Sequence, residues 1–349
     1  MGSSVVQGSM TRLRIEVEVW RGSIAESRHS IQAVVSDASG AILAGTESPE
    51  LITSFRSAAK PYQLLPFVER GHAGRLGLTD EHLAIMAASH TGSPYHVGLV
   101  RDLLGRIQLG VNTLACGYDA PLDAESLKHL ETHPEERTAL YNNCSGKHAG
   151  MLAHCLAEGW PIEGYERPEH PLQQRLRDTV AEMCDVPSNA LLVGIDGCNV
   201  WVFGAPLHAM AKSYARFAAA TGSGDARERA LDRIRRAMVR YPATTGGAQR
   251  FSTALMEVAG GTLVSKGGAE GLECVGVAGR NIGIALKCED GRPRGVAPAV
   301  VALLEYLGLL SAEQVARLES WARPVVRNVV GKTVGEVRAR LHAFDAVSS

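Results

Sequence analysis

Period-two alternation opens this 349-residue chain, and strand-like runs cluster toward both its ends with helical segments between. Arg14–Trp20 alternates charged and apolar side chains, the pattern of a strand with one face on a core. Ser30–Val35 and Ile42–Gly45 follow as a second and third run, joined by the turn residues Asp37-Ala-Ser-Gly40. No helix separates these runs, so the opening is antiparallel and not a βαβ unit. Thr262–Val264, Leu272–Ala278 and Ile282–Lys287 read as further strands. Helices are expected at Ser57–Arg70, stopped by Gly71, at Asp80–Ser89 with Thr79 as cap, and at Val97–Leu109. An arginine-rich helix opens at Asp225, with Glu228 three residues on, and runs to Arg240; Ala297–Leu310 is another. Residues 191–203 read as strand, turn about Gly197, strand, and the last forty residues as a short strand and a final amphipathic helix. This pattern predicts an α+β fold, a mostly antiparallel sheet covered by helices.

No internal repeat and no Pro-, Gly- or Ser-rich linker divides residues 10–349, which are expected to form a single domain. Met1–Ser9 reads as expression-vector sequence ahead of a natural start at Met10. The 36 Lys and Arg against 37 Asp and Glu leave a net charge of −1, without the positive excess that nucleic acid or a membrane surface asks for. The least charged stretch, Val186–Ala211, carries only Asp196 and is broken by Pro187, Gly194, Gly197, Gly204 and Pro206. It is expected as buried sheet and not as a membrane span. The seven cysteines are odd in number and scattered, which predicts reduced thiols in a soluble, cytoplasmic protein.

Three short elements carry chemistry. Ser57-Ala-Ala-Lys60 puts a hydroxyl and an amine one turn apart, and a desolvated lysine can take a serine proton. Read alone, the spacing suits a solvated lysine after a helix cap, but here it opens an otherwise apolar helix. Ser89-His90-Thr91-Gly92 ends the next apolar segment, and Ser265-Lys266-Gly267-Gly268 follows a strand. That order is the logic of penicillin-interacting serine hydrolases, with departures: no Asn stands two places after Ser89, and Gly267 replaces a Thr or Ser. Asn142-Asn-Cys-Ser-Gly-Lys-His148 and Asp196-Gly-Cys198 form a second set. If the two turns converge, Cys144, Cys198 and either Lys147 or His148 can hold a zinc with an open position; the ordinary reading of each thiol is a buried apolar side chain. Gly331-Lys332-Thr333 mimics the end of a P-loop, but Val326 stands where that motif needs glycine.

At these residues the chain resembles the Rhizobium etli-type bacterial L-asparaginases, through Phe55–Pro61, Ala88–Gly92, Asn142–His148, Gly194–Cys198 and Ser265–Gly268. The resemblance implies a serine β-lactamase- and glutaminase-like fold, a homodimer, and hydrolysis of L-asparagine to L-aspartate and ammonia. It further implies two Ser-Lys pairs, Ser57 with Lys60 and Ser89 with Lys266, and an accessory zinc on Cys144, Lys147 and Cys198. Asp196, His148 and Gly268 are assigned to the substrate. Ser57 is expected to attack the amide carbon, with Ser89 and Lys266 relaying the proton and with backbone N–H groups of Ser57 and near Gly268 holding the oxyanion. A serine glutaminase or another β-lactamase-like amidohydrolase is the alternative reading.

Overall fold

The structure, a computed structural model, describes residues 10–344; the reading of Met1–Ser9 lies outside the described residues. The chain forms two compact units. The first takes residues up to Thr53, Pro206–Ala219 and Gly267 onward; the second takes Ser54–Ala205 and Ala220–Lys266. The α+β class expected from the alternation holds, and the large sheet is mostly antiparallel, with Thr11–Arg21 and Ile42–Gly45 paired in parallel.

In the first unit the strands run, from one edge, Val325–Arg327, Thr333–Phe344, Thr11–Arg21, Ile42–Gly45, Ile24–Asp37, Ile282–Cys288 and Leu272–Val277. The sheet is thus assembled from both ends of the chain, where the strand-like runs cluster. Leu13, Ile15, Val17 and Val19 bury one face of Thr11–Arg21, while Arg12 and Arg14 face outward. Asp37 makes the predicted turn: its Oδ1 accepts from the backbone of Ser39, Gly40 and Ala41 at 2.9–3.0 Å. Helix Leu207–Ala219 lies on this sheet and packs directly against Gly283. A Cβ there would sit 1.9 Å from the carbonyl oxygen of Ala211, so only glycine admits the helix.

Two expectations fail here. The final segment is a strand, Thr333–Phe344, and not a helix. Its Val337, Ala339 and Leu341 alternate with Glu336, Arg338 and Arg340, and it pairs along Thr11–Arg21 from Arg12↔Phe344 to Arg21↔Gly335. Sheet pairing outweighs whatever helical propensity those residues carry. The strand Leu192–Ile195 is not buried either: Leu192 is 55 % and Ile195 60 % exposed, because it is the edge of its small sheet.

The second unit is mainly helical: Lys60–Glu69, Asp80–Met86, Pro94–Arg106, Ser145–Glu158, Pro171–Cys184, Ala226–Arg240 and Phe251–Ala259 are its principal helices. Lys60–Glu69 is buried over nearly its whole length. Full burial of Tyr62, Leu65 and Phe67 contributes about 1.5–3 kcal/mol each. The expected helix from Ser57 begins instead as a 3-10 turn, Arg56–Ala59, because Pro61 suits only the first turn of an α-helix. All seven cysteines are free and buried. Among the described residues no helix is long and apolar enough to cross a membrane.

Candidate active site

The second unit gathers most of the residues singled out above. Gly146 is one cause. A Cβ at Gly146 would lie 2.3 Å from the carbonyl oxygen of Ile85, so the start of Ser145–Glu158 rests directly against the end of Asp80–Met86. That contact, with the bond from His90 N to Asn143 O at 3.2 Å, joins the Ser89 turn to the Cys144 turn. Ser89 is held from its other side by its N–H on Thr245 O at 3.0 Å.

Ser89 is the focus of the lysines. Lys266 Nζ donates to Ser89 Oγ at 2.8 Å, and Lys60 Nζ donates to the same oxygen at 3.0 Å and to Ala88 O at 2.5 Å. Lys60 is 1 % exposed; burial lowers its pKa, and the neighbouring Lys147 lowers it further against the pull of Cys144. Ser57 differs from the expectation for the first pair. Lys60 reaches past it to Ser89, and the half-buried Ser57 hydroxyl makes no hydrogen bond among the described residues.

The two cysteine turns do converge. Lys147 Nζ lies 3.0 Å from Cys198 Sγ, and Cys144, Lys147 and Cys198 are all buried. A hydrogen bond from Cys198 holds the Cys144 thiol well below its ordinary pKa, helped by Lys60 and Lys147 against the cost of burial. The same bond raises Cys198, and burial adds to it. Burial opposes the charge on Lys147, but the two sulfurs raise its pKa. Asn142 anchors the turn, its amide donating to Cys116 O at 3.0 Å while its Oδ1 accepts from Cys144 N at 2.9 Å.

Asp196 stands beside Cys198, and its Oδ1 accepts from Arg56 Nε at 3.0 Å and Gly197 N at 2.8 Å. Arg56 was not singled out in the sequence. Its φ of +44° is a left-handed conformation that costs a non-glycine residue about 1–3 kcal/mol, and it directly precedes Ser57. The signal was only that a cation adjoined the motif serine.

Two buried histidines adjoin the cluster. Gly92 N donates to His90 Nδ1 at 3.1 Å, so His90 Nε2 carries the proton and donates to Ser145 Oγ at 2.9 Å. Burial, with His96 and Lys60 nearby, keeps His90 neutral. His148 is fully buried and also held neutral, by burial first and Lys147 second. Tyr165 Oη, which accepts from Ala115 N, shares a hydrogen bond of 2.7 Å with His148 Nδ1. His148, assigned to the substrate from the sequence, is thus enclosed by protein. Gly268 ends the strand that carries Lys266 and belongs to the first unit, so it is not among the residues gathered here.

No curated protein sequence matches this chain. Solved structures similar to it include Mglu in its native form in 4.3 M NaCl, at 12 % identity and a TM-score of 0.45, covering 80 % of this chain and 61 % of that one. Mglu in its glutamate form matches at 14 % identity and a TM-score of 0.44, over 82 % and 63 %. The chain thus spans about three fifths of the length of these proteins, and its chemistry is argued from its own residues. The family model for L-asparaginase II matches residues 17–339, nearly the whole of the chain and every residue of the lysine–serine–cysteine cluster. The chain belongs to the L-asparaginase II family.

Proposed function

We propose that this protein is an amidohydrolase that releases ammonia from L-asparagine through a serine ester, with Ser89 as the nucleophile. The observation that carries the reading is the Ser89 hydroxyl bracketed by two buried lysine amines. Two ammonium groups on one oxygen repel, so the pair works with one amine neutral. Lys60, the amine whose pKa burial lowers, takes the Ser89 proton as Oγ adds to the side-chain amide carbon, and passes it to the departing nitrogen. The C–N bond breaks, ammonia leaves, and a β-aspartyl ester remains on Ser89. Water then adds to the ester, giving its proton to Lys60, which returns it to Ser89 and restores the hydroxyl. Lys266, which donates to Ser89 Oγ, supplies positive charge to the anionic transition state. Ser57, with a hydroxyl free of other bonds, is assigned to the substrate amide. This reverses the roles expected of the two serines, because hydrogen bonding singles out Ser89.

The donor set of Cys144, Lys147 and Cys198 suits zinc. Two soft sulfurs and an amine already meet in one buried cluster, and loss of a proton each from Cys198 and Lys147 frees all three to ligate. A zinc there supplies positive charge beside Asp196 and Arg56, which we assign to the α-amino and α-carboxylate groups of the substrate respectively. The chain's own serine makes a metal-activated water unnecessary.

Ammonia release from L-asparagine and L-glutamine tests the substrate. Turnover of asparagine is expected to exceed that of glutamine, by roughly 10–200-fold if one methylene decides the fit. Equal or faster turnover of glutamine contradicts the asparagine assignment and favours a glutaminase, and acylation by penicillin without turnover of either amide favours a β-lactamase-like enzyme.

A further inference from the structure

Helix Ala226–Arg240 carries its arginines in two different settings. Near its start, Arg227 is matched by two carboxylates, Glu69 at 3.0 Å and Glu182. Toward its end, Arg233, Arg235, Arg236 and Arg240 line one cleft of about 460 Å³ with Asp80 and Gly261. The carboxylates paired with these four are Asp80, on Arg233 at 3.1 Å, and Asp232, shared by Arg235 at 2.6 Å and Arg236 at 2.9 Å. Four guanidinium groups therefore face two carboxylates. Arg240 only stacks on Tyr241, 5.6 Å from the ring centre, and the buried Nε of Arg235 makes no hydrogen bond among the described residues. Complementing the carbonyl end of a helix takes a basic residue in the last turn, a place Arg240 alone fills. Like charges three or four residues apart on a helix repel, so the other three gain nothing from one another.

We propose that this cleft binds a phosphate oxyanion, free or as the phosphoryl group of a small metabolite. The planar forks of arginine match phosphate oxygens two at a time, and a ligand with two negative charges cancels the excess of two. The cleft is large enough for a metabolite of drug-like size around that group. Nothing in the amide chemistry proposed above uses these residues.

The test is calorimetric titration of the full-length protein with inorganic phosphate and with phenyl phosphate, at fixed ionic strength, alongside chloride. Saturable binding of either phosphate species is expected, with no response to chloride. The tighter of the two identifies a free ion or a phosphoryl ester as the occupant. Arg236→Gln with Arg240→Gln, both at exposed positions, should weaken that binding about 10- to 100-fold and leave ammonia release unchanged. Arg229→Gln, on the same helix but outside the cleft, should bind as wild type does. Absence of saturable binding, or equal weakening by Arg229→Gln, overturns the proposal.

Discussion

Two polar clusters sit in the same unit and are built on opposite principles. In one, Glu158 meets Arg70 at 2.8 Å and His72 at 2.5 Å, with the His154 ring 5.8 Å from that of His72. Arg75 donates to His72 Nδ1, so His72 Nε2 carries the proton it gives to Glu158; a metal there would have to displace it. In the other, the partners of Lys60 and Lys147 are a carbonyl, a hydroxyl and sulfur. Pairing cation with carboxylate makes a scaffold. On the function proposed above, lysines buried without a carboxylate give the serine one amine to take its proton and one charge to meet an anionic transition state. The comparison separates structural from catalytic polarity by what answers the charge.

The sharpest way to break that distinction is to remove one member of each cluster. Ser89→Ala should reduce kcat by about 10³-fold or more with little change in Tm, whereas Glu158→Gln should lower Tm and leave kcat within about twofold. Metal content sharpens the second principle: Cys144→Ala or Cys198→Ala should lose bound zinc, measured by elemental analysis of the purified protein, and wild type should hold about one per chain. Gly146→Ala drives a methyl into the Ile85 carbonyl and should cost about 3 kcal/mol in denaturant unfolding.

The histidine cluster predicts a pH signature of its own. Burial, then His72, lowers the His154 pKa to about 4 in the folded state. The unfolded chain protonates that histidine near pH 6.5, so it binds the proton first as pH falls. Stability from this group is therefore whole above pH 6.5 and lost between there and pH 4, by about 3 kcal/mol. His154→Phe should flatten the unfolding free energy across that window; an unchanged slope contradicts the assignment. The smallest effect belongs to Arg70, half exposed, whose replacement by Gln should cost less than about 1 kcal/mol.

What the sequence disclosed was local. The alternation of Arg14–Trp20, the Asp37 turn and the Thr79 cap each follow from a few adjacent residues, and each is present. The cysteine turns were legible as candidates, because two thiols beside a lysine are an unusual set. Long-range geometry was not. Lys266 lies 177 residues from the serine it touches, and no spacing rule reports that. Nor does spacing tell that Lys60 bypasses Ser57 for Ser89, since the direction of a long side chain depends on what it packs against. Thr333–Phe344 was misread because a twelve-residue segment with mixed polarity satisfies either period until its partner strand is known. The strain at Arg56 has no sequence signature at all.

The most direct test of the central claim is to quench the protein during turnover of L-asparagine and locate the covalent aspartyl group by peptide mass spectrometry. The structure-based account predicts the adduct on the peptide containing Ser89, present in Ser57→Ala and absent in Ser89→Ala. An adduct on Ser57 that persists in Ser89→Ala would contradict it and return Ser57 to the role of nucleophile.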